Sequence, residues 1–289
     1  MKGLMKHTSY HLLVGLLLLG IAPTLVCANE PTAGEPFDYS PYQRTLAQFV
    51  DTAARVDYRG LKRQRRDLDQ FIASLNDLKR EAYDQWSRPA QIAFWVNAYN
   101  AFTLQVVIDH YPIKERLTIG KVPVGIRHIP GVWRKKDHKV MSKAHSLGEI
   151  EHRILRGQFR DPRIHLALVC ASKSCPPLRR EPYLGATLDQ QLRNQLLAFA
   201  ASGEGLQLRK GTGVVELSWV FKKFGNDFIP QYGTGGAKDD PLNKYSAKQS
   251  AVLRYLVQNL PKDDADFLRQ GGYRVRYLSY DWSLNDQND

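Results

Sequence analysis

From Pro41 onward apolar residues recur at helical spacing. Tyr42, Leu46, Phe49, Val50 and Ala53 predict one amphipathic helix ending near Val56, and Leu68, Phe71, Ile72, Leu75 and Leu78 predict a second, with Asp57-Tyr58 in a loop between them. The third segment is different. Ser87 is a suitable N-cap and Pro89 suits a first turn; from Ile92 to Ile108 apolar residues then surround almost the whole circumference, the mark of a helix buried on every side. Asn97 and Asn100 share one narrow face of it with Ala93, Ala101 and Leu104. Buried amides need partners, either neighbouring main chain or side chains of a site. Prolines and glycines between Tyr111 and Val140 indicate turns and short strands. Ser146 with Glu149 forms a capping box for a further helix, on which Glu151 lies in the inward stripe of Leu147, Ile150, Ile154 and Leu155, whereas His152 points to solvent. An inward carboxylate must be paired or raised in pKa, which makes Glu151 a site candidate.

The stretch Asp161 to Leu178 opens on a turn-like Asp-Pro and continues as an apolar run, Ile164 to Val169. It ends in a small-residue loop that carries Cys170 and Cys175 and is closed by Pro176 and Pro177. The run reads as a buried strand presenting His165 at one edge of a sheet. Beyond it, Thr187 starts a helix, and Leu206–Arg209 and Val214–Trp219 form a hairpin. Phe221, Phe224 and Phe228 cluster in a short helix or turn, Ser246–Leu260 is a helix stopped by Pro261, and Tyr273–Leu278 is a strand leading to Tyr280-Asp281-Trp282-Ser283-Leu284-Asn285. With no internal repeat and no linker, the expectation is a single α+β domain over residues 41–289. Its helical N-terminal part would pack a central buried helix on a mostly antiparallel sheet, with a cysteine-protease-like arrangement if the thiol and histidine act together.

The first 40 residues stand outside that domain. Lys2 and Lys6 precede the apolar run Leu12–Ile21, and Val26-Cys27-Ala28 ends in small residues, the pattern of a signal peptide over 1–28 cleaved near Ala28. Cys27 raises a lipoprotein alternative, which the bulky Val26 before it disfavours. Residues 29–40, rich in Pro, Gly and Glu, read as a flexible lead-in. The expected location is periplasmic or secreted. The net charge of +12 falls to +10 once Lys2 and Lys6 are removed. For an exported chain this points away from nucleic acid and towards an anionic envelope polymer or a membrane surface, through Lys62–Arg66 and Arg134–Lys136 or through ordinary solvated charge.

After cleavage, Cys170 and Cys175 are the remaining thiols. Three chemistries are open to them. A Cys170–Cys175 disulfide suits an oxidising compartment, although closing so short a loop contributes only about 2 kcal/mol. Nucleophilic catalysis would use Cys175 as the thiol and His165 as its base, with Glu151 orienting the imidazole and Asn97 or Asn100 supporting them. A metal site is disfavoured because ordinary zinc-ligand spacings are missing, and there is no Gly-rich phosphate loop and no nucleophile elbow, so no metal and no cofactor are expected.

Phe94-Trp95-Val96-Asn97-Ala98-Tyr99-Asn100, Asp161 to Leu168 with Ser174-Cys175-Pro176-Pro177, and Tyr280 to Asn285 together resemble the family catalogued as domain of unknown function 547, in its bacterial exported form. The resemblance implies that Asn97, Asn100, His165 and Cys175 are motif positions, and it implies no reaction. The expected function is that of a cysteine-dependent hydrolase or acyl transferase acting on an amide or thioester in the cell envelope. The alternative is a non-catalytic envelope binding or scaffold protein with a structural Cys170–Cys175 disulfide.

Overall fold

The apolar segment after Ser87 is the axis of the molecule. In the computed structural model, which describes residues 35–114, 124–233 and 237–288, it is a helix of 23 residues, Arg88–His110. The Ser87 hydroxyl accepts from the Ala90 N–H, Pro89 fills the first turn, and every residue from Ile92 to Leu104 is buried. Among the described residues four helices precede it: α1 Ser40–Phe49, α2 Tyr58–Arg63, α3 Arg66–Asp77 and α4 Arg80–Asp84. The axial helix is therefore α5.

The first helix stops at Phe49, short of Val56, because Val50 turns extended and pairs with Val56. Asp57, expected in a loop, caps α2 by accepting from the Gly60 N–H. The signal peptide expected over 1–28 lies outside the described residues. Of the lead-in expected over 29–40, the described part is held to the body: the Glu35 carboxylate accepts from the N–H groups of Gly185 and Ala186, and Tyr39 is buried among Phe37 and Phe71.

The class is α+β, with two small, mostly antiparallel sheets among the described residues. β1 (His138–Val140) and β2 (Lys143–His145) form one hairpin; β3 (Leu206–Arg209) and β4 (Val214–Leu217) form another, to which β5 (Arg274–Tyr277) adds in parallel beside β4. Strands of three or four residues span only about 10–13 Å, against roughly 35 Å for α5. The cover of α5 is accordingly helical: α2, α3, α6 (Leu188–Ala201) and a π-helix, Glu149–Phe159, pack against it.

The remaining elements, α7 (Trp219–Phe224), α8 (Ile229–Tyr232), α9 (Ala247–Asn259) and α10 (Lys262–Gln270), gather with the three-stranded sheet around a second apolar core. The first core contains α5 and its neighbours; the second contains Leu206, Val215, Phe221, Phe228, Leu253 and Leu256. Residues 162–169 run between the two.

That position explains why the expected strand over Ile164–Val169 does not form. Asp161 accepts from the Arg163 N–H, Pro162 sets the first turn, and Pro162–Leu166 is a 3-10 helix followed by irregular chain. A strand would present alternate side chains to two faces. Here Ile164, Ala167, Leu168 and Val169 enter the first core while Leu166 enters the second, so tertiary packing absorbs the whole run without sheet pairing.

Candidate functional site

The two amides of α5 fix the chain on both sides of the cysteine loop. Asn100 donates to the Ala167 carbonyl at 3.0 Å and accepts from the Val169 N–H at 2.9 Å, while Asn97 donates to the Tyr183 carbonyl at 2.7 Å and accepts from the Tyr183 N–H at 2.9 Å. Each satisfies a buried peptide in both directions, so their role is to brace main chain.

Between these clamps the chain turns at Ala171, in the left-handed region at φ 59°, and meets the C-terminal segment. Lys173 N–H donates to the Ser283 carbonyl at 2.9 Å, Asp281 N–H donates to Ser174 Oγ at 2.9 Å, and Asn285 N–H donates to the Ala171 carbonyl at 3.3 Å. Gly125 lets another loop close over this segment: a Cβ there would stand 1.9 Å from the Trp282 carbonyl oxygen. The C-terminal residues thus dock onto the cysteine loop and place Tyr280 above it.

The result is a sulfur cluster. Cys170 and Cys175 are free thiols with their Sγ atoms 2.6 Å apart. The Cys170 N–H donates to Cys175 Sγ at 2.9 Å, and the Tyr280 hydroxyl lies 3.1 Å from Cys170 Sγ and 3.4 Å from Cys175 Sγ. Ser172 Oγ is 2.7 Å from the Tyr280 hydroxyl and 3.3 Å from Cys170 Sγ. Burial pushes the Cys175 thiol up, but hydrogen bonds from the Cys170 thiol, the Tyr280 hydroxyl, the Cys170 N–H and Ser172 outweigh it and bring it down to about 7. Cys170 moves the opposite way, raised by its hydrogen bond with Cys175 and by burial. Burial and the neighbouring sulfurs push the Tyr280 phenol up, so it remains a donor.

His165 is held from the second core. Its side chain is 1% exposed, its ring stacks on Phe224 with centroids 3.9 Å apart, and its Nε2 lies 2.8 Å from Asp227 Oδ2. Arg156, from the π-helix, engages the same carboxylate, with Nη2 2.8 Å from Oδ1. Burial alone would raise Asp227; the hydrogen bonds from His165 and Arg156 outweigh it and hold the carboxyl well below its usual range. The bond at Nε2 directs the other ring nitrogen, Nδ1, elsewhere.

Glu151 is buried, as its inward stripe predicts, and the Ser146–Glu149 capping box ahead of it is present in both directions. Its expected role is corrected. The carboxylate that orients His165 belongs to Asp227, and Glu151 instead accepts from the Tyr99 hydroxyl at 3.2 Å. The reason is topological: Gly225–Phe228 packs against α9 and brings Asp227 to the imidazole.

His165, Cys170, Cys175 and Glu151 nonetheless line one cavity, with Tyr99, Trp133, Trp219, Phe224, Tyr280, Trp282 and Lys223 around them. Its volume is about 70 Å³, the space of two or three waters, and it opens to the surface. Asn97 and Asn100 stand behind this cavity, outside its lining. Among the described residues no group of three or more His, Cys, Asp or Glu side chains is placed to hold a metal ion. Sequence reasoning missed Asp227, Arg156, Phe224 and Ser172. Tyr280 was within reach, since it opens the Tyr-Asp-Trp segment; nothing local marks Asp227 in its turn.

The segment carrying α5, Glu151, His165 and both cysteines is the part for which a family is found. Residues 83–200 match the family described as protein of unknown function, DUF547. This supports the resemblance read from the Trp-Val-Asn-Ala-Tyr-Asn and Ser-Cys-Pro-Pro motifs. The matched segment ends before α7, so Phe224 and Tyr280 reach the cavity, and Asp227 reaches His165, from outside it. No curated protein and no solved structure matches the chain, and the cysteine-protease-like comparison therefore has no support.

Proposed function

We propose that the cavity is the active site of a cysteine-dependent hydrolase or acyl transferase acting on an amide or thioester, with Cys175 as nucleophile. The observation that carries this reading is that a thiol acidified by neutral donors and an imidazole paired with a carboxylate line the same small cavity. In the proposed reaction the Cys175 thiolate attacks the carbonyl carbon, and His165 passes a proton to the departing amine or thiol. Water or a second acceptor then takes the acyl group from sulfur. Asp227 keeps the imidazole in one tautomer and stabilises it when it is charged, as the third member of such a triad does. Export to the cell envelope is part of the same proposal and rests on the Lys2–Ala28 pattern; the basic clusters at Lys62–Arg66 and Arg134–Lys136 would then face anionic envelope polymers.

The test is intact-protein mass spectrometry and turnover with a panel of small thioester and activated amide probes. The expected result is an acyl adduct on Cys175 and turnover that is absent in Cys175→Ser and about 10²–10⁴ lower in His165→Ala. Turnover that survives Cys175→Ser would refute the reading. One observation favours the non-catalytic alternative: the 2.6 Å contact places the two sulfurs where a disulfide closes with little movement. A chain purified fully oxidised and inert to every probe would support that alternative.

A further inference from the structure

We propose that Cys170 and Cys175 form a redox-active dithiol that exchanges with organic disulfides entering the same cavity, an activity beyond acyl transfer that shares Cys175 with it but has no need of His165 or Asp227. The geometry separates such a pair from a structural clamp in two ways. First, the loop needs no clamp. Lys173, Ser174, Ala171 and Asn285 already tie it to the C-terminal segment by main-chain hydrogen bonds, Asn100 holds the chain just before it, and closing so short a loop would contribute only about 2 kcal/mol. Second, the polar groups around the sulfurs serve the reduced state. The Cys170 N–H and the Tyr280 hydroxyl both donate to Cys175 Sγ, and the Ser172 hydroxyl lies within hydrogen-bond distance of the Tyr280 oxygen and of Cys170 Sγ. A disulfide sulfur is neutral and a weak acceptor, whereas a thiolate is charged and gains from each donor.

The two thiols also have unequal roles. Cys175 is the more acidic, and Cys170 retains its proton until a mixed disulfide has formed. In the first step the Cys175 thiolate attacks one sulfur of R–S–S–R′, forming Cys175–S–S–R and releasing R′–S⁻. In the second the Cys170 sulfur attacks Cys175 Sγ from contact distance, its proton goes to the departing sulfur, and R–SH leaves. The Cys170–Cys175 disulfide has then formed, the enzyme has given up two electrons, and the substrate disulfide has been reduced to two thiols. Both protein sulfurs line the cavity beside Trp219, Tyr280 and Trp282, an aromatic surround suited to the organic arm of such a substrate.

The experiment uses the full chain, reduced and freed of reductant, with dithiobis(nitrobenzoate) as the probe disulfide and oxidised glutathione as a second. Exchange predicts release of both probe thiols, no adduct on the wild-type protein, and a loss of two hydrogens from its mass. Cys170→Ser should instead release one thiol and keep the probe on Cys175, and reduced glutathione should reopen the wild-type disulfide under native conditions. A wild-type adduct that persists on one cysteine, or a disulfide that glutathione cannot reopen in the folded protein, would overturn the proposal. The two proposals fail separately. Exchange is read from thiol release and from reopening of the disulfide, and acyl transfer from acyl-Cys175 and probe turnover; release of both thiols without any acyl adduct removes the acyl-transfer reading alone.

Discussion

On one side of the cavity two sulfurs in contact receive hydrogen bonds from neutral donors; on the other an imidazole is locked to a carboxylate that is itself held by a guanidinium. The sulfur side is largely local. Cys170, Ser172 and Cys175 lie on one loop, and among the described residues Tyr280 is the single distant one whose side chain bonds them. The imidazole side is entirely long-range, because Asp227 is 62 positions from His165 and 71 from Arg156. The difference follows from charge. A thiol is acidified by donors and would be held back by a nearby carboxylate, whereas an imidazole that must carry a proton needs that carboxylate. With Arg156 beside it, Asp227 can support His165 without leaving an uncompensated negative charge in the interior.

The division between the two sides can be broken experimentally. Asp227→Asn should have the largest effect: turnover of an acyl probe falls about 10²–10⁴ because the imidazole loses its tautomer control. Alkylation of Cys175 by iodoacetamide depends on the sulfur side and should change far less. A parallel collapse of both rates would show that the two sides are one unit.

Asn100→Ala acts on the brace beneath the sulfurs. It leaves the Ala167 carbonyl and the Val169 N–H buried without partners and should cost about 2–4 kcal/mol, read from the urea midpoint at constant slope. Asn97→Ala, which frees Tyr183, should cost a similar amount while disturbing Cys175 alkylation less. If Asn97→Ala disturbed it more, the assignment of braces to the two ends of the loop would be reversed.

The smallest expected effect is at Tyr280. The Cys175 alkylation rate should climb as pH rises through about 7, because the thiolate is the reacting form, and level off above it. Tyr280→Phe removes a donor to the charged sulfur, so the midpoint should move upward by about 1 pH unit. A midpoint that stays in place would mean that the phenol contributes nothing to the thiolate.

Much of the scaffold is written in local spacing. Ser87 and Ser146 with Glu149 each cap the helix expected of them, the helix expected from Ser246 forms, and the all-round apolar run of α5 is buried on all sides. Asn97 and Asn100 were legible as buried amides, and their partners proved to be main chain. His165 and Cys175 stood out by chemical type and do share a cavity. The strand expected over Ile164–Val169 failed because a short apolar run carries no sign of whether one sheet or two cores will bury it. Glu151 was correctly placed inside but given Asp227's task, since nothing local to Asp227 shows that its turn folds back onto the imidazole.

Sequence alone determined where several helices start, which helix is central and which side chains can do chemistry, because caps and periodicity act over a few residues. Tertiary structure alone decided that Asp227 meets His165 and that Tyr280 sits on the sulfurs. Those pairings depend on how two cores close around one irregular segment, and loop closure leaves no periodic trace in the chain.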